Sequence, residues 1–145
     1  MTQDGDALRL LPLRVAGERI VLPALAVEEI LGARSYVPIP GAPPHLPGVV
    51  AWRGRAVAVL DLGALTGGTR AAGGERTVLV HVGPGVLAIP ADGVEAVVQV
   101  EPKHLRPAHA TRHRFATLEV ELGADVVPLL DLDRLAAALQ ERGAA

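Results

Sequence analysis

The chain has 145 residues, half of them hydrophobic and 21% charged, with a formal net charge of −2. This length suits one ordinary domain or two very small modules that share a core, and the composition is that of a globular protein. The chain has no cysteine, no long basic run and one residue each of Tyr, Trp and Phe, which excludes disulfides and thiolate chemistry and argues against nucleic-acid binding.

Nine short segments rich in Val and Leu, separated by Gly and Pro, have the pattern of β-strands. In chain order they are Leu8 to Val15, Arg19 to Leu22, Gly48 to Trp52, Ala56 to Leu60, Arg76 to Val82, Gly85 to Ile89, Val94 to Val100, Phe115 to Leu122 and Val126 to Leu130. Residues 16–18, 53–55 and 83–85 are predicted hairpin turns. The eighth segment alternates, which predicts that Glu119 and Glu121 point outward to solvent.

Two helices are predicted between and after these strands. The first, Leu25 to Leu31, has about two turns and ends at Gly32, and the second, Leu132 to Arg142, ends at Gly143. Asp61 and Asp131 each stand where a strand ends and a short apolar turn begins. A carboxylate there can accept backbone N–H groups, so both are predicted helix N-caps.

Two signatures recur in the same order at nearly constant separation. The segment Ile20 to Ile30 is similar to Leu87 to Val97, and Val57 to Leu65 is similar to Val127 to Leu135. The repetition predicts two related β modules, subdomain A at about 16–66 and subdomain B at about 76–130, with residues 67–75 as the linker. Chance similarity in a chain so rich in Val and Leu is the competing interpretation.

Matched aspartates in a duplicated β protein raise the possibility of an aspartic protease, which needs two carboxylates sharing one proton. In such enzymes a hydroxyl residue follows each aspartate, whereas Leu62 and Leu132 follow Asp61 and Asp131 here. We therefore expect caps and not a catalytic pair. A small hydrolase with another site stays the alternative from the enzyme class.

Three histidines, His104, His109 and His113, are separated by five and four residues in a segment interrupted by proline. Metal ligands on one helix face need spacings of three or four. The spacing therefore favours a solvated loop, and no metal or cofactor is predicted.

The segment from Pro40 to Leu62, PGAPPHLPGVVAWRGRAVAVLDL, resembles the CheW family of bacterial chemotaxis adaptors. That family typically has a Pro-rich turn, a Gly-Val pair, an Asn-Leu-Arg-Gly hairpin and a strand ending in Asp-Leu. Gly17 to Ile30, Pro90 to Glu95 and Val127 to Leu135 resemble three further family signatures in the same order. The resemblance covers residues 8 to 139.

The resemblance implies a mainly β fold, in which two SH3-like five-stranded β-barrel subdomains share an apolar core, with short helices and a C-terminal helix. A single CheW-like domain would occupy residues 7–142, and its terminal segments would be able to cross between subdomains. The implied function is that of a non-catalytic adaptor without a cofactor. Such an adaptor couples the cytoplasmic tips of chemoreceptor helical hairpins (methyl-accepting chemotaxis proteins) to the regulatory domain of a CheA-type histidine kinase.

No stretch of the sequence approaches the roughly 18 consecutive apolar residues of a membrane span, and residues 1–6 lack the regions of a signal peptide. We therefore expect a cytoplasmic protein without direct membrane insertion, recruited to receptor arrays through its partners. A CheW-fold scaffold in another process, such as surface motility or polar organisation, is the alternative within the family.

The resemblance also implies a set of partner-binding residues: Val27, Glu29, Gly48, Trp52, Arg53, Gly54 and Val94. Arg53 is expected at an exposed turn, where a guanidinium reaches a partner's carboxylate. Val94 is expected to line a groove between the barrels that accepts a receptor helix.

Two points stay open for this set. Val27 is either a partner contact or a core residue, whereas a core position is favoured for Ile30. Trp52 is either a core plug or an interface anchor. Ala51 and Trp52 replace the Asn and Leu that are usual in the family, which leaves the choice of partner open.

Overall fold

The computed structural model describes residues 7–66, 74–108 and 114–143. Within these ranges the strands are β1 Leu8–Val15, β2 Glu18–Pro23, β3 Val27–Gly32, β4 Val37–Pro38, β5 Gly48–Trp52, β6 Arg55–Ala58, β7 Arg76–Val82, β8 Gly85–Ala91, β9 Gly93–Val94, β10 Val98–Val100, β11 Leu105–Pro107, β12 Ala116–Leu122 and β13 Asp125–Leu130. The helices are α1 Leu62–Leu65 and α2 Leu132–Gly143, and 3-10 turns occupy Ala24–Ala26 and Pro102–His104.

The predicted strands and the C-terminal helix are confirmed, with Val94 to Val100 divided into β9 and β10. The predicted helix from Leu25 to Leu31 is wrong. Only a 3-10 turn forms at Ala24–Ala26, after which β3 pairs with the apolar strand β7. The gain from this strand pairing outweighs the weak local preference of seven residues for a helix.

The strands form three sheets. The largest has the order β10-β1-β2-β13-β12-β11, with β9 also paired to β1, and the smaller ones are β3-β7-β8 and β4-β5-β6. A bridge between Val59 and Ala88 connects the two smaller sheets. We call these two the first barrel and the largest sheet the second barrel.

In both barrels, strands from the first half of the sequence pair with strands from the second half. β2 pairs in parallel with β13 at Val21 and Leu129, while β3 pairs with β7. The ranges 16–66 and 76–130 therefore describe stretches of sequence that contribute strands to both barrels.

Three apolar clusters fill the molecule. The central cluster contains residues from both barrels and from the helices: Leu11, Leu13, Val15, Ile20, Leu22, Leu60, Leu62, Leu65, Val78, Val80, Val82, Ile89, Ala91, Phe115, Leu130 and Leu135. The first barrel encloses Leu31, Val50, Trp52, Val57, Val59, Leu79 and Ala88, and the second encloses Leu10, Val21, Val100, Val120 and Val127.

Strands between these clusters are buried on both faces. In β7, Val78 and Val80 face the central cluster and Leu79 faces the inside of the first barrel. Alternate side chains of a strand point to opposite faces, so a strand with two buried faces needs an uninterrupted apolar sequence. This explains why the sequence contains continuous Val and Leu runs.

Both aspartates that were predicted as caps lie at helix starts. The Asp61 Oδ1 atom accepts a hydrogen bond from the Ala64 amide at 3.0 Å, and the Asp131 Oδ1 atom accepts one from the Arg134 amide at 3.0 Å. Each carboxylate thus satisfies a backbone donor that a helix start leaves unpaired.

The predicted exposure of β12 is only half right. Glu121 is exposed, but Glu119 is only 8% exposed. Glu119 lies on the outer face between Arg106 of β11 and Pro128 of β13, which are its partners in the strand register. These neighbours shield it from water.

Candidate docking surface

Three of the predicted partner-binding residues meet where β3 lies beside the β5–β6 hairpin. The Trp52 Nε1 atom donates a hydrogen bond to Glu29 Oε1 at 3.0 Å, and the Arg53 Nη2 atom lies 3.1 Å from the same oxygen. The Arg53 guanidinium also stands over the Trp52 ring, 5.0 Å from its centroid. We call Glu29, Trp52 and Arg53 the hairpin cluster.

The hairpin turn fixes the direction of Arg53. Trp52 and Arg55 are register partners, so the turn consists of Arg53 and Gly54 alone. Both have positive φ, 48° and 73°, as the two central residues of a type I′ turn require. Gly54 takes this conformation without cost, whereas Arg53 does so at some cost in strain.

The hairpin cluster contains one buried side chain, Trp52, and one exposed side chain, Arg53. Trp52 is only 9% exposed and packs inside the first barrel, so its ring serves as a core plug and its indole N–H is satisfied by Glu29. The Arg53 side chain is 67% exposed. Its guanidinium is held in place from one side and still presents donors to the surrounding water.

The other predicted residues lie elsewhere. Val27 and Val94 are half-buried and pack against the central cluster, Val27 opposite Val80 of β7 and Val94 opposite Leu13 of β1. Gly48, at the far end of β5 from the hairpin turn, is buried.

Sequence reasoning missed a set of exposed apolar side chains between residues 25 and 39. Leu25 is 97% exposed, Ile30 42%, Val37 66% and Ile39 48%. The preference for core at Ile30 is wrong. A register irregularity between Val27 and Glu29 leaves Glu29 and Leu31 inward, so Ile30 faces away on a strand at the edge of its sheet.

Arg19 makes a group of hydrogen bonds in the second barrel, which we call the arginine fork. Arg19 Nε and Nη2 donate to Glu95 Oε2 and Oε1 at 2.9 and 2.6 Å, and Arg19 Nη1 donates to Asp125 Oδ2 at 3.1 Å. The hydrogen bonds from Arg19 lower the pKa of Glu95 below its ordinary 4.5, and burial opposes this in part. The hydrogen bonds that Arg19 donates to Glu95 likewise raise the pKa of Arg19. The fork ties β2 to the loop after β9 and to the start of β13.

Replacing Glu95 with glutamine should lower stability at neutral pH only. Because the pKa of Glu95 is lower in the folded than in the unfolded protein, its contribution is complete above about pH 4.5 and disappears as the pH falls through the folded value. Urea unfolding of the wild type and Glu95→Gln at pH 7 and at pH 3 measures this difference. The exposed Glu75→Gln is the control. If the difference in unfolding free energy between the wild type and Glu95→Gln were as large at pH 3 as at pH 7, the stabilisation would not come from the ionised Glu95 carboxylate.

The described part of the chain contains no group of three His, Cys, Asp or Glu side chains arranged to hold a metal ion. Of the three histidines considered above, His109 and His113 lie outside the described residues. Among the helices in the described ranges, none has the length and apolarity needed to cross a bilayer.

The sequence matches the CheW-like domain family over residues 9–140. Among solved structures, the fold is similar to that of the scaffolding protein TtCheW from Thermoanaerobacter tengcongensis, with a TM-score of 0.75 and 19% sequence identity over 85% of this chain and 88% of that one. No curated protein sequence matches significantly. The resemblance and the mainly β fold of two barrel-like subdomains are confirmed, and the chain belongs to the CheW-like domain family, a family of chemotaxis adaptors.

Proposed function

We propose that this protein is a non-catalytic cytoplasmic adaptor that couples chemoreceptors to a CheA-type histidine kinase. The observation that supports this most is the group of exposed apolar side chains on edge strands of the first barrel. Ile30 lies on β3 and Val37 on β4, each strand at the edge of its sheet. Exposed apolar groups and unpaired strand edges are features by which proteins bind other proteins.

We call the exposed apolar side chains of the first barrel, Leu25, Ile30, Val37 and Ile39, the apolar surface, and propose the kinase regulatory domain as its partner. Glu29 and Arg53 belong to the same barrel, but the Glu29 side chain lies on the other face of β3 from Ile30, where it holds the Arg53 guanidinium. An arginine that is already oriented loses less entropy on binding a partner's carboxylate than a free one. We therefore propose Arg53 as a separate charged contact of the kinase on the same barrel.

The receptor is proposed to dock where the two barrels meet. Val27 comes from the first barrel and Val94 from the second, and both pack against the central cluster while staying half-exposed. A receptor helical hairpin could place an apolar face against such residues without disturbing either barrel.

No observation favours a hydrolase. The carboxylates of Asp61 and Asp131 each accept a hydrogen bond from the start of a different helix, α1 and α2. Two carboxylates that bind separate helix starts do not form a pair that shares a proton.

Replacing Ile30 with glutamate should weaken binding of the kinase regulatory domain by at least about tenfold, because burying an unpaired carboxylate in an apolar interface costs more than 1.4 kcal/mol. Calorimetric titration of the purified domain measures the change in Kd. Val37→Glu should act in the same direction, since Val37 is even more exposed.

The matched control is Val97→Glu, which introduces the same charge at a valine that is 44% exposed beyond β9. The affinity of Val97→Glu for the kinase regulatory domain should stay within about twofold of the wild-type affinity. All three variants should keep the wild-type melting temperature, since exposed substitutions change stability little. Equal binding by the Ile30 and Val97 variants would show that the kinase docks elsewhere.

A further inference from the structure

A groove on the outer face of the second barrel has no role in the function proposed above. It has a volume of about 450 Å³ and lies over β2, β12 and β13, next to the β1–β2 turn. Its charged lining residues are Arg14, Glu18, Arg19, Arg106, Glu119 and Asp125, and Val126 and Pro128 form an apolar wall. The groove therefore combines a charged lining with one apolar wall.

Glu119, which lines this groove, is the unusual residue. It is only 8% exposed, and its Oε1 atom is buried without any hydrogen-bond partner. The nearest cation is the Arg106 Nε atom at 3.9 Å, too far for a hydrogen bond. A buried carboxylate oxygen without a donor destabilises the folded protein.

The arginines of the groove do not satisfy Glu119. Arg19 is held by Glu95 and Asp125. Arg106 is shared, because its Nη1 atom lies 3.7 Å from Glu121 Oε2, again longer than a hydrogen bond, and its side chain is 48% exposed. Arg106 therefore lies at ion-pair distance from both glutamates and at hydrogen-bond distance from neither of these two oxygens.

The charges in and beside the groove leave an excess of acid. The lining itself has three arginines and three carboxylates, and two further carboxylates lie beside it as partners of Arg19 and Arg106, which makes five against three. The five carboxylates are those of Glu18, Glu95, Glu119, Glu121 and Asp125. A positive group is thus the complement that the groove lacks.

We propose that this groove binds a lysine or arginine side chain of a partner protein. The positive group donates to Glu119, the Arg106 side chain turns aside to Glu121, and the aliphatic part of the incoming chain packs against Val126 and Pro128. Val126 is 41% exposed and available for such a contact. The surface belongs to the second barrel and is distinct from the apolar surface of the first, so this proposal does not depend on the kinase docking there.

The test uses N-acetyl-arginine amide and N-acetyl-lysine amide as probes and N-acetyl-citrulline amide as the neutral analogue. Amide chemical shifts of the full chain are followed by NMR during titration. We expect saturable shifts in β12 and β13 with at least one cationic probe and none with citrulline. Glu119→Gln should weaken that binding at least tenfold, while the control variant Glu75→Gln, at an exposed glutamate outside the groove, keeps it within about twofold.

A second measurement separates a binding role from a structural one. Removing an unsatisfied buried charge relieves its cost, so Glu119→Gln should raise the melting temperature by about 2–4 °C, whereas the exposed Glu75→Gln should leave it unchanged. A fall in the melting temperature of Glu119→Gln would assign the residue to a stabilising pair with Arg106. That result would overturn the proposal. The proposal would also be overturned if the cationic probes caused no chemical-shift changes, if the citrulline probe caused equal changes, or if Glu119→Gln left the changes unaffected.

Discussion

Leu135→Ala is expected to lower the free energy of unfolding by about 3 kcal/mol. Leu135 is fully buried and lies in the central cluster, where it joins α2 to the strands of both barrels. Truncation removes apolar contacts and leaves a cavity that the close-packed strands around it cannot fill. Urea unfolding at pH 7, followed by circular dichroism, measures the loss.

The control is the same substitution at the opposite extreme of burial. Leu25 is 97% exposed, so Leu25→Ala should change the free energy of unfolding by less than about 0.5 kcal/mol. Similar losses at the two positions would mean that α2 does not depend on the central cluster for its attachment.

Gly48→Ala is expected to be at least as damaging, with a loss of about 3 kcal/mol or more. A Cβ atom at Gly48 would lie 2.1 Å from the Val37 backbone oxygen and 2.7 Å from the Tyr36 ring. The oxygen belongs to β4, which pairs with β5 at this point, so relief requires the two strands to move apart. Soluble yield and the urea midpoint report the effect.

Gly32→Ala is the matched control, because a Cβ at Gly32 meets no atom within 4 Å and the backbone there is not left-handed. Its stability should stay near that of the wild type. The comparison also bears on the role of Gly48, which the family resemblance places among partner-binding residues. A stable Gly48→Ala protein that has lost only kinase binding would contradict the structural role that the close approach to β4 indicates.

The sequence was sufficient for those features that depend on local chemistry. Runs such as Arg76 to Val82 mark strands because both faces are buried, and Asp61 and Asp131 stand at helix starts where a carboxylate satisfies backbone donors. The resemblance to the CheW family supplied the two-barrel fold. It also implied partner binding by Glu29, Trp52 and Arg53, which stays a prediction; the three side chains contact one another in the structure.

The features that could not be predicted depend on partners that are distant in sequence. Residues 27–32 have an ambiguous local pattern, and only pairing with β7 makes them a strand. The exposure of Ile30 follows from a register irregularity in that pairing, and the burial of Glu119 follows from its neighbours Arg106 and Pro128. A single sequence contains no direct signal for such cross-strand relations.

The pairing of β2 with β13 has a consequence for how the chain must fold during synthesis. The β1–β2 hairpin is synthesised before the other described strands, whereas β13, the strand beside β2 in the sheet, is synthesised after all of them. The side of β2 that pairs with β13 therefore stays unpaired while the strands between them, β3 to β12, are synthesised. Since contacts between distant segments form slowly, this early hairpin is the segment most exposed to chaperones and to aggregation in the newly made protein.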